Sequence, residues 1–143
     1  MSTLERAIVI AATAHAGQID KAGASYILHP LRVMLRLTTE AERITAVLHD
    51  LVEDCAGWSF ERLHAEGFSG EIIEALKSVT KRDGESYEDF VKRAGENPIG
   101  RRVKRSDLHD NCDLTRISNP TPTDHERIAR YRKAIAYLER ISE

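Results

Sequence analysis

The stretch "AVLHDLVED" (residues 46–54) governs how the rest of the chain is read. It sets His49, Asp50, Glu53 and Asp54 among Val47, Leu48, Leu51 and Val52. Charged side chains are rarely buried unless they are paired or bind a metal. Projected as a helix at about 100° per residue, Ile44, Val47, Leu48, Leu51 and Val52 share one side, and the four ionisable groups form an arc on the other. His49–Glu53 and Asp50–Asp54 are then i,i+4 pairs whose side chains converge. Either this is an amphipathic helix with a solvated acidic face, or it is part of a metal site. The stretch alone leaves both open.

Working outward, Thr39 and Glu42 make a capping box that predicts a helix from Thr39 to about Glu53. Upstream, "STLERAIVIAATAH" opens on a Ser2/Glu5 box with Leu4, Ile8, Ala11 and Ala12 at helical spacing. "GQIDKAGASY" reads as an exposed loop, and Pro30 after His29 suits the first turn of a short helix through Leu37. Downstream, serines open short helices at "SFERLHAEG", "SGEIIEALKSVT" and "SYEDFVKRAG", with "KRDGES" as a turn. Asn97-Pro98 starts a helix through "IGRRVKRSDLHDN", and Thr123 with Glu126 caps a last one striped by Ile128, Tyr131, Ile135 and Leu138. No alternating strand emerges. The expected fold is all-α, a compact orthogonal bundle of about seven or eight helices, with 1–143 as one domain.

Composition narrows the function classes. A net charge of −2 supplies no basic field for nucleic acid, and no apolar run is long enough for a membrane span. Cys55 and Cys112 lack metal-site spacing and are too few for a disulfide framework. With no signal-peptide pattern, a reducing cytoplasm is expected.

Three stretches beyond the first bear on the metal reading. His29 in "YILHP" is expected just before a helix start, where the backbone can aim an imidazole into a cleft, and Asp107 and Asn111 in "VKRSDLHDN" form another i,i+4 pair beside an apolar face. Two histidines and two aspartates make a mixed nitrogen and oxygen donor set. Such a set suits one divalent first-row ion (Mn, Fe, Co or Zn) and is poor for calcium.

"HAGQIDKAGASYILHP", "LHDLVED" and "VKRSDLHDN", with "SVTK" at 78–81 and "ERIARY" at 126–131, resemble in content and order the HD-domain hydrolases of the RelA/SpoT group. The similarity is greatest to its small stand-alone alarmone hydrolases. The resemblance implies an HD-type helical bundle that removes the 3′-diphosphate of (p)ppGpp as pyrophosphate. It implies His29, His49, Asp50 and Asp107 as ligands of a metal, usually manganese, and Glu53 and Asp54 as the acidic pair acting on the attacking water. Lys21, Tyr26 and Asn111 fall where the family contacts the nucleotide, and Lys81 and Lys104 at further motif positions of the substrate side. The expected partner is a small nucleotide, with no nucleic acid and no membrane; oligomeric state is not legible.

Departures from the family pattern bear on substrate. Asp20-Lys21 stands where the family has Arg-Lys, and an aspartate can neither donate to phosphate nor stack as a guanidinium does. A 2′- or 3′-phosphate on another nucleotide, as in NADPH, is therefore an alternative, and a non-catalytic nucleotide-binding regulator is a third. Ser25, Cys55 and Arg105-Ser106 also depart from the pattern. His15 reads as bracing its loop, whereas His64, His109 and His125 read as surface residues. "RRVKR" is either a phosphate-facing edge or a solvated face.

Overall fold

Every serine, threonine or asparagine that opens a helix accepts a hydrogen bond from the first turn, so those helix starts are set locally. The computed structural model describes residues 1–142. It contains α1 (Leu4–Ala14), α2 (Leu28–Leu35), α3 (Glu40–Leu48), α4 (Leu51–Asp54), α5 (Phe60–Ala65), α6 (Gly70–Ser78), α7 (Tyr87–Glu96), α8 (Pro98–Asn111) and α9 (Pro122–Ile141), with a 3₁₀ turn at Leu114–Arg116. Among the described residues there is no strand beyond one isolated bridge, Ile19 to Ser25, so the all-α expectation is borne out. No described helix is long and apolar enough to cross a membrane.

Several starts match the sequence reading residue for residue: the Thr39–Glu42 box, the caps Ser59, Ser69 and Ser86, and Asn97 before Pro98. Two differ. Thr3 rather than Ser2 caps α1, because the Ser2 hydroxyl is spent on the Glu66 carbonyl. The last helix starts two residues early, with Thr121 and Asp124 as the box and Pro122 in its first turn.

The largest difference lies in the opening stretch. Its single helix is two, α3 and α4, broken at His49 and Asp50. The His49 N–H bonds the Ala46 carbonyl three residues back (3.3 Å), tightening the last turn. The break turns His49 inward and buries it, where a continuous helix would place it on the outer arc.

Helix α3 lies against α1, α2, α6 and α8. Its Ile44, Val47 and Leu48 meet Ala7, Ile10 and Ala11 of α1, Val33 of α2, Leu76 of α6 and Val103 of α8 in the main core. A second cluster, Val91, Leu108, Ala134, Ile135 and Leu138, ties α7, α8 and α9 together. Each fully buried leucine here stabilises by about 1.5–3 kcal/mol relative to exposure. The main core carries His29 on α2, His49 after α3 and Asp107 on α8, and so fixes their separation.

Candidate metal centre

His29 enters from the first turn of α2, His49 and Asp50 from the break after α3, and Asp107 from the middle of α8. His29, His49 and Asp50 each offer a ligand atom, all within 4.8 Å of one another. Asp107 Oδ1 completes the group, 3.0 Å from His29 Nε2 and 3.3 Å from His49 Nε2. His49 Nε2 lies 3.1 Å, and His29 Nε2 3.7 Å, from Asp50 Oδ2.

The far ring nitrogens decide what the near ones can do. His49 Nδ1 is 2.6 Å from the Ala46 carbonyl, which only accepts, so Nδ1 carries the hydrogen. His29 Nδ1 is 2.6 Å from Asp110 Oδ2, and an ionised carboxylate likewise only accepts. Each Nε2 then faces two carboxylate oxygens with its lone pair whenever the ring is neutral. Two imidazoles set against two carboxylates draw positive charge between them, either ring protons or one divalent ion. The electrostatics agree. Burial opposes charge on both rings, yet Asp107 and Asp110 hold the His29 pKa above its ordinary value, and Asp50 and Asp107 hold His49 well above. Burial also works against the Asp107 carboxylate, but Lys104 and His49 hold it well below the usual range. Mixed donors, anchored far nitrogens and closure around one point fit a first-row divalent ion.

His29, Asp50 and Asp107 line a cleft of about 420 Å³, which His49 does not reach; its size is within the range for small-molecule sites. Tyr26 donates its hydroxyl to Asp50 Oδ2. Lys104 is buried, with Nζ 3.0 Å from Asp107 Oδ2 and 4.6 Å from the Phe90 ring centroid. Asn111 Nδ2 donates to Asp107 Oδ1 at 3.1 Å. These three, with Lys21, line the cleft, so four of the five residues expected on the substrate side come together there. Lys81 does not. Its side chain is exposed away from the cleft, and its contribution is its main-chain N–H, which donates to Glu53 Oε1 at 2.7 Å.

Glu53 and Asp54 sit on α4, and neither lines the cleft. Partial burial raises the carboxyl pKa of Glu53, the Lys81 N–H opposing and the charges of Asp50 and Asp54 reinforcing. Burial and then Asp50 raise that of Asp54. His15 braces the loop that follows it through Gln18 (2.8 Å), whose amide reaches the Asp54 carbonyl (3.3 Å).

Sequence reasoning missed part of the cleft. Asp110, Arg32, Arg116 and Arg127 were not singled out, although Arg32, Arg116 and Arg127 line it and Asp110 lies directly behind His29. The signal was present: Lys104, Asp107, Asp110 and Asn111 recur at i,i+3 and i,i+4 on α8. The "RRVKR" run resolves into separate fates. Arg101 bonds the Gly95 carbonyl and Arg102 pairs with Glu42, so Lys104 alone of that run reaches the cleft. Asp20 also lines it, its Oδ1 accepting the N–H groups of Ala22 and Ala24, both at 2.9 Å.

Fold and site together define an all-α protein with an imidazole–carboxylate centre under a cleft that holds several cations. No protein-family model matches the sequence. Individual proteins do. The chain is 32% identical over 101 residues to a guanosine-3′,5′-bis(diphosphate) 3′-pyrophosphohydrolase of Vibrio cholerae, covering 68% of this chain and 14% of that one. It is 32% identical over 133 residues to a probable GTP pyrophosphokinase of Mycobacterium leprae (84% and 17%). It is 31% identical over 120 residues to a second guanosine-3′,5′-bis(diphosphate) 3′-pyrophosphohydrolase, from Aquifex aeolicus (76% and 17%). A solved structure described as a metazoan ortholog of SpoT that hydrolyses ppGpp superposes with a TM-score of 0.75 at 21% identity, covering 96% of this chain and 85% of that one, which shows the shared fold. The chain is thus a homologue of the ppGpp 3′-pyrophosphohydrolases, as the motifs led us to expect, and spans 14–17% of the length of the three relatives named.

Proposed function

We propose that this chain is a metal-dependent phosphohydrolase acting on the 3′-diphosphate of (p)ppGpp or a closely related nucleotide. The observation that carries the reading is the convergence of His29, His49, Asp50 and Asp107 with both far ring nitrogens anchored. These four residues would hold the ion, for which manganese is the expected identity. A divalent ion there supplies Lewis acidity toward a phosphoryl oxygen and lowers the pKa of water, to about 7 in favourable cases.

The chain's own groups do the rest. Water attacks the phosphorus bonded to the 3′-oxygen and gives up a proton, the P–O3′ bond breaks, the 3′-oxygen takes up a proton to become a hydroxyl, and pyrophosphate leaves. Glu53, with Oε1 tied to the Lys81 N–H, has Oε2 for the proton of the attacking water. Its raised pKa makes it a better base than an ordinary glutamate. Asp54 orients the same water. Lys21, Arg32, Lys104, Arg116 and Arg127 line the cleft that would take the phosphates, Arg32 and Arg116 paired with Asp110, Lys104 with Asp107 and Arg127 with Asp124, while Tyr26 and Asn111 hold Asp50 and Asp107 in place. Manganese-loaded protein incubated with ppGpp and a nucleotide panel should release pyrophosphate from ppGpp. No metal-dependent phosphate or pyrophosphate release from any member would overturn the enzyme reading.

One observation favours a second substrate. Asp20 puts a carboxylate into the cleft wall beside Lys21, which suits a single 2′- or 3′-phosphate, as on NADPH, better than a diphosphate. Asp20→Asn keeps an oxygen acceptor for Ala22 and Ala24 and removes only the charge. The kcat/KM ratio of ppGpp to NADPH should then rise; an unchanged ratio removes Asp20 from specificity.

A further inference from the structure

We infer that Asp110 is a positioning residue for the metal centre, holding His29 in the orientation and tautomer that a ligand needs. The inference rests on the metal site proposed above and extends it to a residue that neither the motif reading nor the comparisons assign.

Asp110 is fully buried, at 0% exposure. Its Oδ2 accepts from His29 Nδ1 at 2.6 Å and from Arg32 Nη2 at 3.1 Å. Its Oδ1 accepts from Arg32 Nε at 2.7 Å, with Nη1 of Arg36 and of Arg116 each at 3.5 Å. Arg116 also donates to the Asp110 carbonyl at 3.0 Å. A buried carboxylate is costly unless its oxygens are satisfied by donors, and here both are. The arginines compensate its charge, and the histidine contact uses it.

That contact has a geometric consequence. The imidazole cannot rotate about its ring axis without losing the Nδ1 bond, so Nε2 stays aimed at Asp107 and Asp50. His49 achieves the same end through a main-chain carbonyl. At His29 the Tyr26 carbonyl three residues back takes the main-chain N–H (3.0 Å), and an acidic side chain from α8 takes the ring nitrogen. A ligand imidazole whose far nitrogen bonds a carboxylate is oriented and made more basic, and losing such a partner typically costs 10–100-fold in metal affinity.

Packing alone would account for burial of Asp110 but not for a dependence of metal affinity on its charge. Asp110→Asn retains the size and one acceptor oxygen, yet turns an amide N–H₂ toward either His29 or Arg32, both donors. The test titrates chelator-stripped protein with Mn²⁺ alone in a calorimeter, with circular dichroism and thermal unfolding of the metal-free forms alongside. Asp110→Asn should weaken Mn²⁺ binding about 10–100-fold while the metal-free variant remains folded. Arg36→Gln, which perturbs the same cluster without touching His29, should bind Mn²⁺ as the wild type does. A variant Kd within twofold of wild type overturns the inference and leaves the metal site standing; a wild type that binds no Mn²⁺ overturns both. Because Asp110→Asn can also fail to fold, a measurement on wild type stands beside it. Nitrogen-15 spectra of the zinc-loaded protein should show His29 with its proton on Nδ1. A proton on Nε2, or zinc bound through Nδ1, overturns the assignment whatever the variant does.

Discussion

Replacing His49 by alanine and Glu53 by glutamine should separate metal binding from chemistry. His49 is buried, with Nε2 within 3.3 Å of both Asp50 and Asp107. Its removal takes one of four donors and leaves the two carboxylates with less positive charge between them. Stability that bound metal adds by mass action, about 2.7 kcal/mol at a hundredfold excess over Kd, should disappear with it. Glu53→Gln is different in kind. Glutamine Oε1 still accepts from the Lys81 N–H, so α4 and the 79–86 turn keep their connection and the four donors are untouched. Only the proton acceptor is lost, which is worth about 10²–10⁴ in rate for general-base catalysis. The assay is elemental analysis after desalting, melting with and without Mn²⁺, and single-turnover rates on the same preparations. His49→Ala should lose metal, the metal-dependent rise in Tm, and turnover, whereas Glu53→Gln should keep the first two and lose turnover. Were Glu53→Gln to lose metal as completely as His49→Ala, Glu53 would be a ligand and the division of labour drawn here would be wrong.

Other outcomes follow from the packing. Glu85 forms a two-point pair with Arg93 (2.8 and 2.9 Å) that holds its carboxyl down at about 2. A depressed carboxyl contributes stability above its unfolded pKa and loses it as pH falls through the folded one. Glu85→Gln should thus cost about 1.5–3 kcal/mol at neutral pH, and acid unfolding curves should show the difference closing between about pH 4.5 and 2. A gap that is undiminished at pH 2 would mean that the pair's charge is not what stabilises. Gly100→Ala should destabilise by about 1–3 kcal/mol, because a Cβ there would lie 2.0 Å from Ser78 Oγ and 3.2 Å from Ser78 Cβ. Thermal melts should show the double variant with Ser78→Ala recovering part of the loss, and no recovery would place the strain elsewhere.

Helix existence was legible because caps and apolar spacing are local. The Thr39–Glu42 box and the Asn97-Pro98 start needed nothing beyond their own first turn. The break at His49 was not legible, since its cause lies in tertiary fit: α4 must turn to pack Leu51 while the His49 ring goes inward. Helical projection therefore grouped His49, Asp50, Glu53 and Asp54 on one outer arc, whereas His49 is buried. The centre itself was readable as motifs in order, and its geometry required α2, α3 and α8 to meet. Asp110 escaped because a buried carboxylate and an exposed one are spelled alike. The approach of His29 and Arg32, 81 and 78 residues away in sequence, distinguishes them.

Lys81 shows how such a site would look to a mutational scan. What it gives Glu53 is a main-chain hydrogen, and that turn is tied to α7 by Arg93, which also bonds the carbonyls of Lys77 and Thr80. Nineteen of the twenty amino acids can supply that hydrogen; proline cannot. The same holds for the Ala46 carbonyl that orients His49, which every residue possesses. Alanine scanning would therefore pass over two supports of the candidate centre. Side-chain variation at 81 among relatives would say nothing about whether Glu53 is held, whereas a proline there, or loss of the distant arginine, would.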